Sequence, residues 1–222
     1  WMNRAHTVEQ SHAAIQMALD AGIDNLSIDL IYGTPSLSDQ ALMADLDWIA
    51  HYQIKHVSCY ALTVEDKTAL KKSIEKGQIE NIDSEKQARH FEIVCARLKT
   101  MGLEHYEISN FAKPGFRSQH NSHYWSGETY LGLGPSAHSF NTISRQWNIA
   151  NNALYIKSIA QGQLNFEIEL LTEANRYNEY MMTSLRRMEG FDLDWIAEKF
   201  GQPFLDHSIA MLKEMETKHI SQ

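Results

Sequence analysis

The order of apolar and polar positions divides the chain into alternating helical and extended stretches in its first half and helical stretches towards its end. Thr7 and Gln10 have capping-box spacing, in which each side chain satisfies a free backbone N–H at a helix start. Val8, His12, Ile15 and Leu19 then recur at spacings of 4, 3 and 4, a single helical stripe, and Gly22 reads as its C-cap. Residues 26–32 are short and largely apolar and run into Gly33-Thr34-Pro35, which predicts a buried strand ending in a turn. Ser36 or Ser38 is placed to cap a second helix with Leu42, Leu46 and Ile49 on one face. A second strand is expected over 56–64 and a polar connection over 65–83. A third helix follows, with Ala88, Phe91, Val94, Cys95 and Leu98 aligned and Gly102 at its end; a third strand is expected to begin with residues 106–109.

Strands joined by long helical crossovers pair in parallel, and parallel strands bury both faces. The expected class is therefore α/β, either a barrel-type (βα) repeat or an open doubly wound sheet. Three strands cannot close a barrel, since a complete eight-unit one takes roughly 250 residues. Residues 1–112 alone would leave a sheet edge unpaired, so a fragment, or a partner covering that edge, is expected. Residues 112–150 are rich in Gly, Ser, Asn and His, and from Asn151 onward the pattern reads as helical, over 151–161, 173–188, 192–200 and 203–217. Asp192 is a cap, Gly201 a stop, and this short helix, turn and helix is similar to the opening of a helix-turn-helix or winged helix. Two domains are expected, 1–150 and 151–222.

Composition narrows the classes. Hydrophobic residues are 43% and charged residues 22% of 222, enough apolar side chain for a core. No run approaches the ~18 apolar residues of a membrane span, and no leading basic-then-apolar segment reads as a signal peptide. A net charge of −8 argues against broad nucleic-acid binding, and from Leu171 to Gln222 acidic residues outnumber basic ones. Cys59 and Cys95 have no metal-ligand spacing and make no disulfide framework, so a reduced, cytoplasmic setting is expected.

Candidate chemistry is thinly spread. Asp29 lies in an apolar strand four residues before its closing glycine, where α/β folds bind ligands; it reads either as a ligand contact or as one half of a local ion pair. Arg4 reads as a solvated arginine, and Thr63 as an ordinary β-branched strand residue. His120-Asn-Ser-His-Tyr-Trp125 gathers groups that ligate iron or stack on a macrocycle; by itself it reads more readily as a loop pinned by side-chain hydrogen bonds with Trp125 as a core plug. His138 poses the same choice. Gly132-Leu-Gly134 is either an anion cradle or a tight bend.

The motifs become specific in combination. Asn25-Leu-Ser-Ile-Asp-Leu-Ile-Tyr-Gly33 with Thr34-Pro35 resembles the fourth barrel strand of the oxygen-independent coproporphyrinogen III oxidase family of radical SAM proteins. Tyr106-Glu-Ile-Ser-Asn-Phe-Ala112, His120-Asn-x-x-Tyr-Trp125 and Tyr130-Leu-Gly-Leu-Gly-Pro-Ser-Ala-His-Ser-Phe140 resemble that family's haem chaperone branch; the true oxidases differ at the first two. Glu189-Gly-Phe-Asp192 resembles the opening of its C-terminal helical domain. The resemblance implies a partial (βα)6 TIM-like barrel with a winged-helix-like C-terminal domain, incomplete here. It implies S-adenosylmethionine and a 4Fe–4S cluster as cofactors of the full-length protein, with haem or a porphyrinogen as ligand. It places Arg4, Asp29, Ile31 and Thr63 at S-adenosylmethionine. His120, Asn121, Tyr124 and Trp125 fall at haem, His120 leading as iron ligand and Tyr124 as its alternative. A haem-accepting protein, one associated with a membrane included, a homo-oligomer and a cytoplasmic setting follow as expectations. The family's Cys-x-x-x-Cys-x-x-Cys loop and its glycine-rich loop are absent, as if roughly the first three βα units were missing, so this chain alone is expected to perform no radical chemistry. The alternative function is the oxidase reaction, oxidative decarboxylation of propionates to protoporphyrinogen IX.

Overall fold

In the computed structural model, which describes residues 6–220 with side chains to 217, the chain divides into two compact units between Ser118 and Gln119. The first contains α1 (Val8–Asp20), β1 (Ser27–Tyr32), α2 (Asp39–His51), β2 (His56–Ala61), α3 (Ala69–Glu75), α4 (Ser84–Thr100), β3 (Glu104–Glu107) and β4 (Asn110–Ala112). Its sheet has the order β1-β2-β4-β3. The Thr7–Gln10 capping box is present, Ser38 caps α2, and Gly22 follows α1 with φ 79°. β1 and β2 pair in parallel, as expected, with Asp29 opposite Ser58 and Ile31 opposite Tyr60.

One side of this sheet is closed. Tyr32, Val57, Cys59 and Phe111 pack with Leu42, Leu46 and Ile49 of α2 and Val94 and Leu98 of α4, while Ile28 and Leu30 lie against the same core. His90, fully buried, ties the layers together: Gly33 N–H donates to its Nδ1 at 3.2 Å, so Nε2 carries the proton and donates to Asp39 Oδ1 at 3.0 Å. Gly33 is required twice over. Its φ is 76°, and a Cβ there would stand 2.4 Å from Gln87 Cγ, which crosses the turn on its way to Leu62 O.

Three expectations for this unit are corrected. Asp29 is exposed rather than buried, because the helices cover only the side that carries Ile28, Leu30 and Tyr32. The single third strand is a β3–β4 hairpin, and β4 runs antiparallel to both its neighbours. The reason is Glu107, whose Oε1 accepts from Ser109 N–H at 2.9 Å and from the Asn110 amide, turning the chain where an extended run was expected. Within the polar connection, Thr68 caps the short helix α3.

The second unit contains α5 (Gln119–Trp125), β5 (His138–Phe140), β6 (Ser144–Asn148), α6 (Asn152–Ala160), β7 (Phe166–Leu170), α7 (Glu173–Ser184), α8 (Leu193–Phe200) and α9 (Gln202–Ile220). β5, β6 and β7 form an antiparallel sheet. This corrects both the expected domain boundary and the all-helical reading after Asn151: β6 and β7 lie on either side of residue 150 and pair with each other. Asp192 caps α8 through its carboxylate, and Gly201 ends it at φ 83°. Tyr177, Ile196 and Phe200 form the core of the helical part. Among the described residues no helix is long and apolar enough to cross a membrane.

Candidate functional site

Each unit carries one candidate region. In the first it is the sheet face opposite the helices, exposed at Ser27, Asp29 and Tyr60 and buried at His56, Ser58 and Asn110. Register partners point to the same side, so Ser27, Asp29 and Ile31 of β1 share a face with His56, Ser58 and Tyr60 of β2 and with Asn110 of β4. Polar side chains here bond to one another. Ser27 Oγ lies 2.6 Å from His56 Nδ1, and His56 Nε2 lies 2.8 Å from Tyr106 Oη, which also accepts from Ser118 N–H at 3.3 Å. Burial pushes His56 below the usual imidazole range, against the opposing pull of Asp29 and Glu107. Glu107 is only 2% exposed. Asn110 Oδ1 is buried and has no hydrogen-bond partner, an acceptor left over on the face that Asp29 occupies.

Of the residues expected at S-adenosylmethionine, Asp29 and Ile31 stand on this face, and Thr63 is exposed two residues beyond the end of β2. Arg4 lies outside the described residues. The open carboxylate and the spare Asn110 acceptor fit a ligand that carries ammonium or hydroxyl donors. The iron–sulfur cluster does not fit this chain's residues. Cys59 is buried in the core with its thiol pushed up to about 12, chiefly by burial, and Cys95 is raised by burial too, so neither offers a ready thiolate. Among the described residues no group of three or more His, Cys, Asp or Glu is arranged to hold a metal ion.

In the second unit the candidate region is built on α5. His120 and Tyr124, one turn apart, are exposed; Asn121 and Trp125, the next pair at the same spacing, are half-buried. The Arg186 guanidinium lies 4.6 Å over the Trp125 ring, whose Nε1 is buried with no hydrogen-bond partner. Tyr124 stacks on Tyr130 with centroids 5.5 Å apart, and Tyr130 bridges Phe140 through both backbone bonds. Burial, the largest cause, and then Tyr124 raise the Tyr130 phenol, while Arg145 pulls it down. Arg145 itself holds both carboxylate oxygens of Glu179, at 2.9 and 3.0 Å. His123 points towards Glu128 at 3.9 Å, and His138 is exposed on β5 with Trp147 beside it.

The glycine pair is a bend. A Cβ on Gly132 would meet His138 O at 2.1 Å, and the backbone N–H groups of Gly132 and Gly134 already donate to Ser139 Oγ and Tyr155 Oη. Asn148 holds both carbonyls from the other side. Sequence reasoning missed His56, Glu107, Tyr130 and Arg145; Glu107 and Tyr130 lay inside motifs already singled out, but with no partner visible at a fixed spacing.

Heme chaperone HemW of Mycobacterium tuberculosis is 34% identical over 193 residues, 86% of this chain and 50% of the relative. Heme chaperone HemW of Bacillus subtilis is 31% identical over 218 residues, 98% of this chain and 58% of the relative. The chain resembles the haem chaperone branch of the coproporphyrinogen III oxidase-like radical SAM family. It spans about half the length of the curated relatives it matches. No protein-family model matches. A solved structure of coproporphyrinogen III oxidase (HemN) from Escherichia coli, a radical SAM enzyme, matches with a TM-score of 0.73 at 19% identity. The match covers 95% of this chain and 51% of that one, and it shows a shared mixed α/β fold.

Proposed function

We propose that the chain is part of a cytoplasmic haem chaperone that holds haem on α5 and S-adenosylmethionine on the open face of β1 and β2, for delivery of haem to an acceptor protein. The observation that carries this reading is the split of the His120–Trp125 motif. His120 and Tyr124 are exposed one turn apart on α5, Tyr124 with its ring against Tyr130, while Trp125, under Arg186, is half-buried. A neutral imidazole on an exposed helix is an effective iron ligand, and a macrocycle laid along that side meets the phenol one turn away. On the first unit, the Asp29 carboxylate would hold the ligand's ammonium or hydroxyl groups, with Ile31 and Thr63 beside it. S-adenosylmethionine brings a sulfonium and an aminoacyl group to that face. The likeness to heme chaperones HemW, rather than any reaction geometry, favours haem handling over propionate decarboxylation.

The test is a titration of haemin into the 222-residue chain. The wild type is expected to give a bound-haem absorbance band, and His120→Ala to weaken it about tenfold in affinity. An unchanged band in a folded His120→Ala protein removes His120 from the site.

A further inference from the structure

We infer that the open edge of β7 is a docking site for an extended segment of a partner protein, one in which lysine or arginine alternates with apolar residues. The inference is independent of the haem reading.

The edge follows from the ladder. β7 is the last strand of its sheet, and among the described residues it pairs with β6 alone. Ile149 N–H donates to Asn165 O and Leu171 N–H to Ile143 O, both at 3.0 Å, one step beyond either end of the β6–β7 register. In an antiparallel pair, hydrogen-bonded positions alternate with non-bonded ones. Glu167 and Glu169 are therefore the residues that bond to β6, while the N–H and C=O groups of Phe166, Ile168 and Leu170 point away from it. These outward groups form a row that a further strand can pair with, and no proline interrupts it.

The two faces beside that edge differ. Phe166, Ile168 and Leu170 share one face and are 43%, 56% and 76% exposed. Glu167 and Glu169 are exposed on the other, opposite Trp147 and Arg145. Arg145 holds Glu179 through both terminal nitrogens, so its guanidinium is committed there. An added strand in register meets an apolar side chain at every second position and a carboxylate at the positions between. Directly opposed residues on neighbouring strands reward opposite charge and penalise like charge. This pattern selects the occupant. Paired with itself about Ile168, β7 sets glutamate opposite glutamate, which disfavours a second copy. A strand that alternates basic and apolar residues fits both faces. Its apolar residues bring the main-chain bonds to Phe166, Ile168 and Leu170, and its basic residues pair with Glu167 and Glu169.

The probe is a labelled, end-capped peptide of alternating lysine and valine, about seven residues long, to match a five-residue strand. Its binding to the 222-residue chain is followed by fluorescence anisotropy. The same peptide with glutamate in place of lysine should bind about tenfold more weakly. N-methylation of the central valine removes a main-chain donor without touching the protein and should also weaken binding about tenfold. Ile168→Pro removes an N–H that β6 does not use, a change that an edge strand tolerates, and should weaken binding as much; circular dichroism checks its fold. Glu167→Gln combined with Glu169→Gln should weaken binding about fivefold and remove most of its salt dependence. Equal binding of the lysine and glutamate peptides overturns the proposal. So does undiminished binding of the N-methylated peptide, or no binding of the lysine peptide to the folded wild type. Self-association of the chain without peptide, lost in Ile168→Pro, assigns the edge to a second copy and overturns it as well.

Discussion

On the β1–β2 face, Asp29 and Ile31 are positioned by a main-chain ladder, whereas on α5 His120 and Tyr124 are positioned by side chains, Trp125 under Arg186 and Tyr130 stacked on Tyr124. A ladder spreads its support over every residue in register, and its failure comes from beneath, through the core packed against the sheet. A seven-residue helix is too short to stabilise itself, so a few side-chain contacts carry it. The first region should therefore respond to distant core substitutions and the second to single polar ones nearby. Polar groups differ correspondingly. On the sheet they bond among themselves, with Asn110 Oδ1 left over; beside α5 the rings of Tyr124 and Tyr130 stack, and Arg145 holds both carboxylate oxygens of Glu179.

The largest effect that can break this comparison is expected from Phe111→Ala. Phe111 is 1% exposed, lies opposite Val57 in β2 and stacks on His105 at 4.2 Å. Removing the ring costs about 3–5 kcal/mol through lost transfer energy and a cavity. The readout is the rate at which Cys59, buried against the same core, reacts with a thiol reagent. Labelling should accelerate sharply while haemin affinity at α5 stays within twofold. A parallel fall in haemin affinity would show that the two regions share their support.

A smaller effect, with a sign, is expected from His56. Burial lowers its folded value below 6.5, so over the interval between the two values the unfolded chain binds more protons. Its contribution to stability is present above 6.5 and fades as pH falls towards the depressed value. His56→Phe keeps the ring volume but loses the contacts to Ser27 and Tyr106, at about 1–3 kcal/mol. Urea midpoints should fall as pH drops below 6.5 in the wild type, level off above it, and fall less in the variant. An unchanged slope would mean that His56 does not govern the acid side of this face.

What the sequence disclosed follows the same division. Capping pairs, helical stripes and the β1–turn signal are local patterns, and Thr7, Ser38, Asp192 and Gly33 act as read. β7 was missed, although Phe166-Glu-Ile-Glu-Leu170 alternates with period two, because the stretch from Asn151 onward was read as helical. The exposure of Asp29 was not legible, because it depends on which side of the sheet the helices cover. Nor was the grouping of Tyr124, Tyr130, Phe140, Arg145 and Glu179: its members lie on α5, a loop, β5, β6 and α7, and only the fold brings them together. The resemblance marked His120 and Tyr124 as candidates but could not say that they face outward together while Asn121 and Trp125 face in.

The smallest effect serves as the control that sharpens the comparison. α1 has no buried residue, and its start is held by the Thr7–Gln10 capping box, with Thr7 N–H donating to Gln10 Oε1 at 2.9 Å and Gln10 N–H to Thr7 Oγ1 at 3.3 Å. Thr7→Ala removes the cap acceptor and costs about 1 kcal/mol, felt at the helix end. If the β1–β2 region rests on its ladder and its core, fraying α1 should leave His56 titration and Cys59 labelling unchanged while amide exchange speeds up over the first turn of α1. Faster Cys59 labelling in Thr7→Ala would instead make α1, through Ile15, which packs on the core, part of what holds the Asp29 face in place.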